Sequence, residues 1–306
     1  MTDLPVQAGR FFFESEPCYR DPKTARYVIL PVPYEGTVCF MSGTASGPEA
    51  ILAVSDQIES FDEEFHVEAF RDGIVILPEI PPAVTPAEES QRIYETIKQY
   101  RLFDPAMNRF PIILGGEHGI TPPIVRAAAE HVGNLSVLQF DAHTDLRDAY
   151  TGGRFSHASA MRRVLEVVPS LVQVGIRSSS AEEYADCPER VRQAVTAAML
   201  DADFGYCVDR VLFGLTENVY ITIDIDAFDP AYAPGTGTPE PGGMNWRQVT
   251  TILREVCARK NVVGVDIVEV APLGGNNVIT EYLAARLVSK IMAYTYYYRH
   301  YALPPG

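Results

Sequence analysis

Seven short apolar runs rich in Val, Ile and Leu recur along the chain, at 27–32, 73–77, 111–114, 135–140, 171–176, 219–225 and 262–270. Most show little alternation of apolar and polar positions. A strand with one wet face alternates, whereas a strand covered on both faces does not. The runs therefore predict a parallel sheet buried between two layers. Segments with helical spacing lie between them. Gly47–Ser55 follows the start signal Ser46-Gly47-Pro48, Pro86–Tyr100 has Thr85 as its cap, another helix begins at Thr121-Pro122, and Trp246–Arg259 starts after Asn245. From Thr280 onward, Leu283, Leu287, Val288, Ile291 and Met292 share one helical face. This strand–helix alternation predicts an α/β fold, a three-layer α-β-α sandwich with a mainly parallel sheet. No composition break or fixed-period repeat divides the 306 residues, so one domain is expected over 1–306, with 1–25 as an N-terminal extension and 303–306 as a short tail.

Charge narrows the partners. With 25 Lys+Arg against 40 Asp+Glu the formal net charge is −15. Nucleic acid selects basic surfaces and is not an expected partner, while an acidic protein steers toward cationic ligands. No apolar stretch approaches the ~20 residues of a membrane-spanning helix, and the segment from Met1 to Phe13 does not read as a secretory signal. Five Cys without Cys-x-x-Cys spacing suggest neither a disulfide framework nor a thiolate zinc knuckle. The expected setting is the cytoplasm, with no membrane partner.

Ligand crevices in open α/β sheets lie beyond the carboxyl ends of the strands. The run 135–140 ends in Asp141-Ala142-His143-Thr144-Asp145, and positions i, i+2 and i+4 of an extended chain share one side. The run 219–223 ends in Asp224-Ile225-Asp226, and 111–114 in Gly115-Gly116-Glu117-His118. Asp229, before Pro230, reads as a turn residue. A single Asp at a strand end is often only the N-cap of the next helix. Together, four carboxylates with no Lys or Arg inside 141–145 or 224–229 would bury about four unpaired negative charges, so these groups must be protonated, paired with cations or bound to metal. Two divalent ions would balance them. An oxygen-rich set with one imidazole per ion suits manganese or a related hard-to-borderline ion better than structural zinc, and a two-metal centre activates a water and polarises a substrate.

Residues 115–118, 141–145 and 224–230 resemble, in order, the three metal signatures of the ureohydrolase (arginase–agmatinase) superfamily. Residues 156–163, 234–243 and 266–272 resemble three further motifs of that family, and the resemblance runs from about Pro31 to the final helix. It implies an arginase-like fold and the activity of the agmatinase branch: hydrolysis of agmatine, a small cationic guanidino substrate, to putrescine and urea in polyamine biosynthesis. It also implies a homo-oligomer, trimer or hexamer. His118, Asp141, Asp145 and Asp224 would hold one manganese ion, and Asp141, His143, Asp224 and Asp226 the other. The resemblance assigns proton transfer to Asp145 and His157 and the grip on the guanidinium to Glu269, with Thr238 and His157 as further substrate contacts. Glu117 and Gly119 stand where many members have Asp and Ser, and Ala158 where many have Gly. Arginine-specific members hold the amino-acid end of the substrate with small polar side chains in the interval that is 146–156 here, and that set is missing. Asp148 and Tyr150 are candidates for a contact to the far amine, with Arg147 and Arg154 as cations that would instead welcome a carboxylate. Aminopropylagmatine, guanidinobutyrate, guanidine and arginine are the alternative substrates. An inactive scaffold or regulatory protein is the alternative of another class, disfavoured because all six ligands are kept.

Overall fold

The computed structural model describes residues 4–7, 9–13, 16–151 and 153–301, so the tail expected at 303–306 and parts of the N-terminal extension lie outside the described residues. Among the described residues the strands are β1 (Tyr27–Val32), β2 (Ile74–Ile76), β3 (Phe110–Gly115), β4 (Leu135–Phe140), β5 (Ser170–Ile176), β6 (Val195–Thr196), β7 (Asn218–Asp224) and β8 (Asn261–Val268). They form one sheet in the order β2-β1-β3-β8-β7-β4-β5-β6, and every neighbouring pair is parallel. The helices are α1 (Gly47–Val54), α2 (Pro86–Gln99), α3 (Thr121–Ala129), α4 (Ala160–Val164), α5 (Ala181–Asp186), α6 (Pro188–Gln193), α7 (Ala197–Ala202), α8 (Phe204–Gly214), α9 (Trp246–Arg259) and α10 (Ile279–His300).

Alternate strand residues feed two separate cores. Tyr27, Ile29, Ile112 and Leu138 pack with side chains of α1, α7, α8, α9 and α10. Val28, Leu30, Ile113 and Val137 pack with α2, α3, α4 and α6 on the other face. Both faces of the central strands are therefore dry, which is why their sequences do not alternate. Several helix starts are satisfied locally. Thr85 and Glu88 form a reciprocal cap on α2, as do Asn245 and Gln248 on α9. Ser46 differs from expectation: it lies in the 3-10 turn Thr44–Ser46 and its side chain caps nothing, so α1 starts at Gly47 with Pro48 in its first turn. The short strand β6 and helices α5 to α8 occupy a stretch for which the sequence reading offers no elements. Among the described residues no helix is long and apolar enough to cross a membrane.

Strand order and register position the site. The chain runs out through β1 and β2, returns to β3, and then crosses to β4, leaving room for the two strands that arrive last. In the finished sheet Leu114 lies opposite Ile267, Ile267 opposite Ile223, and Ile223 opposite Phe140. Four adjacent strands thus end at one level, at the point where the strand order switches.

Candidate metal centre

Each of β3, β8, β7 and β4 delivers one piece of the centre from its carboxyl end. After β3 the chain passes directly beneath the loop that follows β1. A side chain on Gly116 would run into the carbonyl of Tyr34, so this turn requires glycine. His118 follows, fully buried, and opens the 3-10 turn His118–Ile120 that leads into α3. Its Nδ1 faces three carboxylates, 3.1 Å from Asp141 Oδ2, 3.0 Å from Asp145 Oδ2 and 3.5 Å from Asp224 Oδ2. Its Nε2 lies 2.9 Å from the Thr222 hydroxyl, which in turn donates to Asp266, a carboxylate also bound by Tyr220 and Thr121. That chain of polar groups fixes the ring so that Nδ1 points into the cluster.

The two oxygens of Asp141 span two halves of the cluster. Oδ2 faces His118, while Oδ1 lies 3.6 Å from His143 Nδ1. His143 Nδ1 is also 3.0 Å from Asp226 Oδ2. His118, Asp141 and Asp224 form one group able to surround an ion, and Asp141, His143 and Asp226 form a second. Asp145 joins the first through His118, and Asp224 is counted with the first only. Asp141, His143 and Asp145 do converge, though not by simple extended alternation. Asp145 sits at φ 52°, in the left-handed region, and its carbonyl accepts from Met161 and Arg162 at the start of α4. Asp224 is both a cluster member and an N-cap, accepting from Asp226 N–H at 2.9 Å. Asp229 is the turn residue expected, accepting from Ala231, Gly242 and Gly243.

The electrostatics call for added positive charge. Burial, joined by the charge of Asp141, pushes Asp145 up to about 7. Burial and the carboxylates of Asp226 and Asp141 raise Asp224 well above the usual range. Burial alone would lower both imidazoles, but the carboxylates around them win: His143 rises to about 12 and His118 goes well above its ordinary value. The buried His118 Nδ1 has no satisfactory hydrogen-bond partner although three carboxylate oxygens surround it. An orphaned donor atom ringed by oxygens, within an O/N set, fits divalent ions.

Above the cluster opens a cavity of about 230 Å³ whose wall includes His157, Thr238, Glu269, Tyr150, Arg147 and Cys39. Glu269 follows β8 at φ 63°, a conformation that a non-glycine residue adopts only when its surroundings impose it. Its Oε1 accepts from His118 N–H at 2.7 Å, and burial pushes its carboxyl well above the usual range. Thr238 donates to Asp226 Oδ2 at 3.2 Å. Burial lowers His157 to about 4, with the charges of His118 and His143 acting in the same direction. The neutral ring lies 3.0 Å by Nδ1 from Thr37 Oγ1 and 3.5 Å by Nε2 from Cys39 Sγ.

The far end of the cavity differs from part of the sequence expectation. Asp148 does not line it, because its carboxylate pairs with Arg163 at 2.5 Å. Arg154 pairs with Glu166 at 2.7 Å and is likewise absent from the wall. Tyr150 and Arg147 are both on the wall, with the Arg147 guanidinium 5.1 Å from the Tyr150 ring centroid and 3.2 Å from Glu182. Sequence reasoning missed Thr37 and Cys39, which lie on a loop with no periodicity, and Thr222 and Gln139. The last two did leave a signal: each is a buried polar residue within an otherwise buried stretch of strand, two positions before a cluster carboxylate. Gln139 Nε2 donates to Asp141 Oδ2 at 2.6 Å.

The Arginase family model matches residues 25–294. The chain is 38% identical over 266 residues to the N(1)-aminopropylagmatine ureohydrolase of Thermus thermophilus, covering 86% of this chain and 88% of that one. It is 36% identical over 270 residues to the agmatinase of Pyrococcus horikoshii, covering 88% and 91%. The solved structure of the agmatine ureohydrolase of Thermoplasma volcanium matches with a TM-score of 0.81 at 28% identity, over 91% of this chain and 93% of that chain.

Proposed function

The chain belongs to the arginase family, and from that premise we propose that it is a metal-dependent ureohydrolase that cleaves agmatine to putrescine and urea, a step in making polyamines. The observation that carries the reading is the buried cluster of four carboxylates and two imidazoles beneath a cavity walled by Glu269 and His157. Two divalent ions, manganese in this proposal, would be held by His118, Asp141, His143, Asp145, Asp224 and Asp226 and would supply an activated water and polarisation of the guanidinium. Glu269 binds the planar guanidinium through parallel hydrogen bonds, and that cation returns its carboxyl to the charged form. His157, neutral near pH 7, takes up a proton released in the attack and delivers it to the departing amine, with Asp145 as the other proton carrier. Thr238 orients Asp226 and forms part of the wall along which the substrate enters.

The second reading is aminopropylagmatine, supported by the Thermus relative's name. Both compounds carry the same guanidinium and differ only in a longer cationic tail. Arginine is disfavoured because its carboxylate would meet an Arg147 already paired with Glu182. Urea release under defined manganese loading should rank both cationic compounds above arginine in kcat/KM by roughly 10³–10⁴-fold, the discrimination a mismatched polar group produces. Arginine within tenfold of both would overturn the substrate assignment. Folded, fully loaded protein that releases no urea from agmatine, aminopropylagmatine, guanidinobutyrate, guanidine or arginine would overturn the activity itself.

A further inference from the structure

At the opposite edge of the sheet, where β1, β3 and β8 begin, lies a second cavity of about 390 Å³. Arg26, immediately before β1, Lys260, immediately before β8, and Arg299, in the last turn of α10, all line it. No Asp or Glu is among its lining residues, although the chain carries 40 of them. The cations are held instead by neutral oxygens. Arg26 Nη1 donates to Asn108 Oδ1 at 3.1 Å, and Arg299 Nη1 donates to the same oxygen at 2.8 Å. Lys260 Nζ donates to the Leu215 carbonyl at 2.8 Å.

Two guanidinium groups thus converge on one amide oxygen, presented by Asn108 from a left-handed turn at φ 53°. Arg26 Nε is buried with no hydrogen-bond partner. Burial, and to a lesser degree the charge of Arg299, pull the Arg26 guanidinium below its ordinary value. Against this act the Tyr27 phenol and, more weakly, the carboxylate of Asp72, whose oxygens are engaged by His300 Nε2 at 2.9 and 3.0 Å. Two partly buried cations, Arg26 and Lys260, gathered with the exposed Arg299 and without a carboxylate in the lining are costly unless an anion joins them.

We propose that this cavity is an oxyanion site that takes a phosphate group, held by Arg26, Lys260 and Arg299. Three cations match a phosphate dianion better than a single carboxylate, and guanidinium forks suit its oxygens. The volume falls in the range of small-molecule sites, so the phosphate could be free or carried on a small organic molecule. The cavity shares no lining residue with the metal centre, and the proposal stands independently of the ureohydrolase reading. A bound phosphate would tie the starts of β1 and β8 to the end of α10 and so stabilise the sheet at its non-catalytic edge.

The test is calorimetric titration of inorganic phosphate into the metal-loaded protein. One phosphate per chain should bind, and Arg299→Ala and Lys260→Gln should each weaken it at least about tenfold, the loss expected for one charge-assisted hydrogen bond. Arg299 is exposed at the helix end, so its substitution should leave folding and urea release unchanged. Arg147→Ala, at the catalytic cavity, should leave this phosphate affinity unchanged. A nucleoside monophosphate competing more strongly than phosphate would support the site and identify an organic source, and equal competition would support it with free phosphate as the source. Absence of binding up to about 10 mM, far weaker than any specific site, or equal binding by Arg299→Ala, would overturn the proposal. So would a change of oligomeric state in Arg299→Ala without phosphate binding, which would assign these cations to a second chain.

Discussion

Glu117 and Gly119 depart from the pattern of many family members together, and the geometry makes them a pair. The longer carboxylate of Glu117 reaches the loop after β1, accepting from Gly36 N–H at 3.1 Å, Thr37 N–H at 2.7 Å and the Thr37 hydroxyl at 2.9 Å. A Cβ on residue 119 would come within 3.1 Å of Glu117 Oε1 and 3.4 Å of His157 N, so glycine leaves room for the longer acid. Having given its proton to Glu117, the Thr37 hydroxyl accepts from His157, which places the ring proton on Nδ1 and leaves Nε2 as the basic atom. The depression of His157 to about 4 has a testable sign. An unfolded chain protonates this His near its ordinary value of 6.5, while the folded protein resists until about 4. The fully neutral state therefore favours folding above about 6.5, and stability is lost as pH falls from there toward 4. In metal-free protein, His157→Asn should flatten the loss of unfolding free energy between pH 7 and pH 4.5 by on the order of 2 kcal/mol. Equal slopes for the two proteins, measured by urea denaturation, would show that His157 titrates normally in the fold.

At the scale of elements, α10 is buried over more of its circumference than its apolar face implies. Ala284, Ala285, Ser289 and Lys290 are buried along with the expected Leu287, Val288, Ile291 and Met292. Lys290 can be buried because Nζ lies 2.8 Å from Asp62 Oδ2 and 3.1 Å from Glu63 Oε1, joining the helix to the loop after α1. Removing the cation strands the buried Asp62, so Lys290→Ala should cost roughly 3–5 kcal/mol in chemical denaturation. A loss below about 1 kcal/mol would mean that water solvates Asp62 freely. The same helix illustrates what sequence can reveal. Periodicity found α10, α9 and α2 because each spans several turns, and it found the central strands because their burial on both faces leaves long apolar runs. Helices α4 to α7 have five or six residues, fewer than two turns, and β6 has two, so no period can emerge. The cluster residues were legible as polar groups at strand ends. The Thr37 hold on His157 was not, because it joins residues 120 apart through a loop without pattern.

For the molecule as a whole, two ions held by side chains at the ends of three strands, β3, β4 and β7, would contribute to global stability. Ligands that bind only the folded state stabilise it by RT ln(1 + [L]/Kd), so chelation should lower Tm by about 5–10 °C, and manganese should restore it. Elemental analysis of the active protein should find two ions per chain. Full activity with one zinc per chain, or a Tm indifferent to chelation, would contradict a structural metal pair. Ion uptake should also release protons, because His118 and His143, both held protonated by their carboxylates, must give them up to become ligands.

The strand order β3-β8-β7-β4 also dictates when the centre can come into being. Synthesis runs from the N-terminus, so β3 and β4 emerge well before the two strands that separate them in the finished sheet. Until Asn218–Asp224 and Asn261–Val268 have been made and inserted, nothing holds His118 level with Asp141, and the inner edges of β3 and β4 stand unpaired. A nascent chain therefore carries part of a metal site and none of its chemistry. On the proposed reading, loading of both ions would mark the moment at which the last strands have closed the gap.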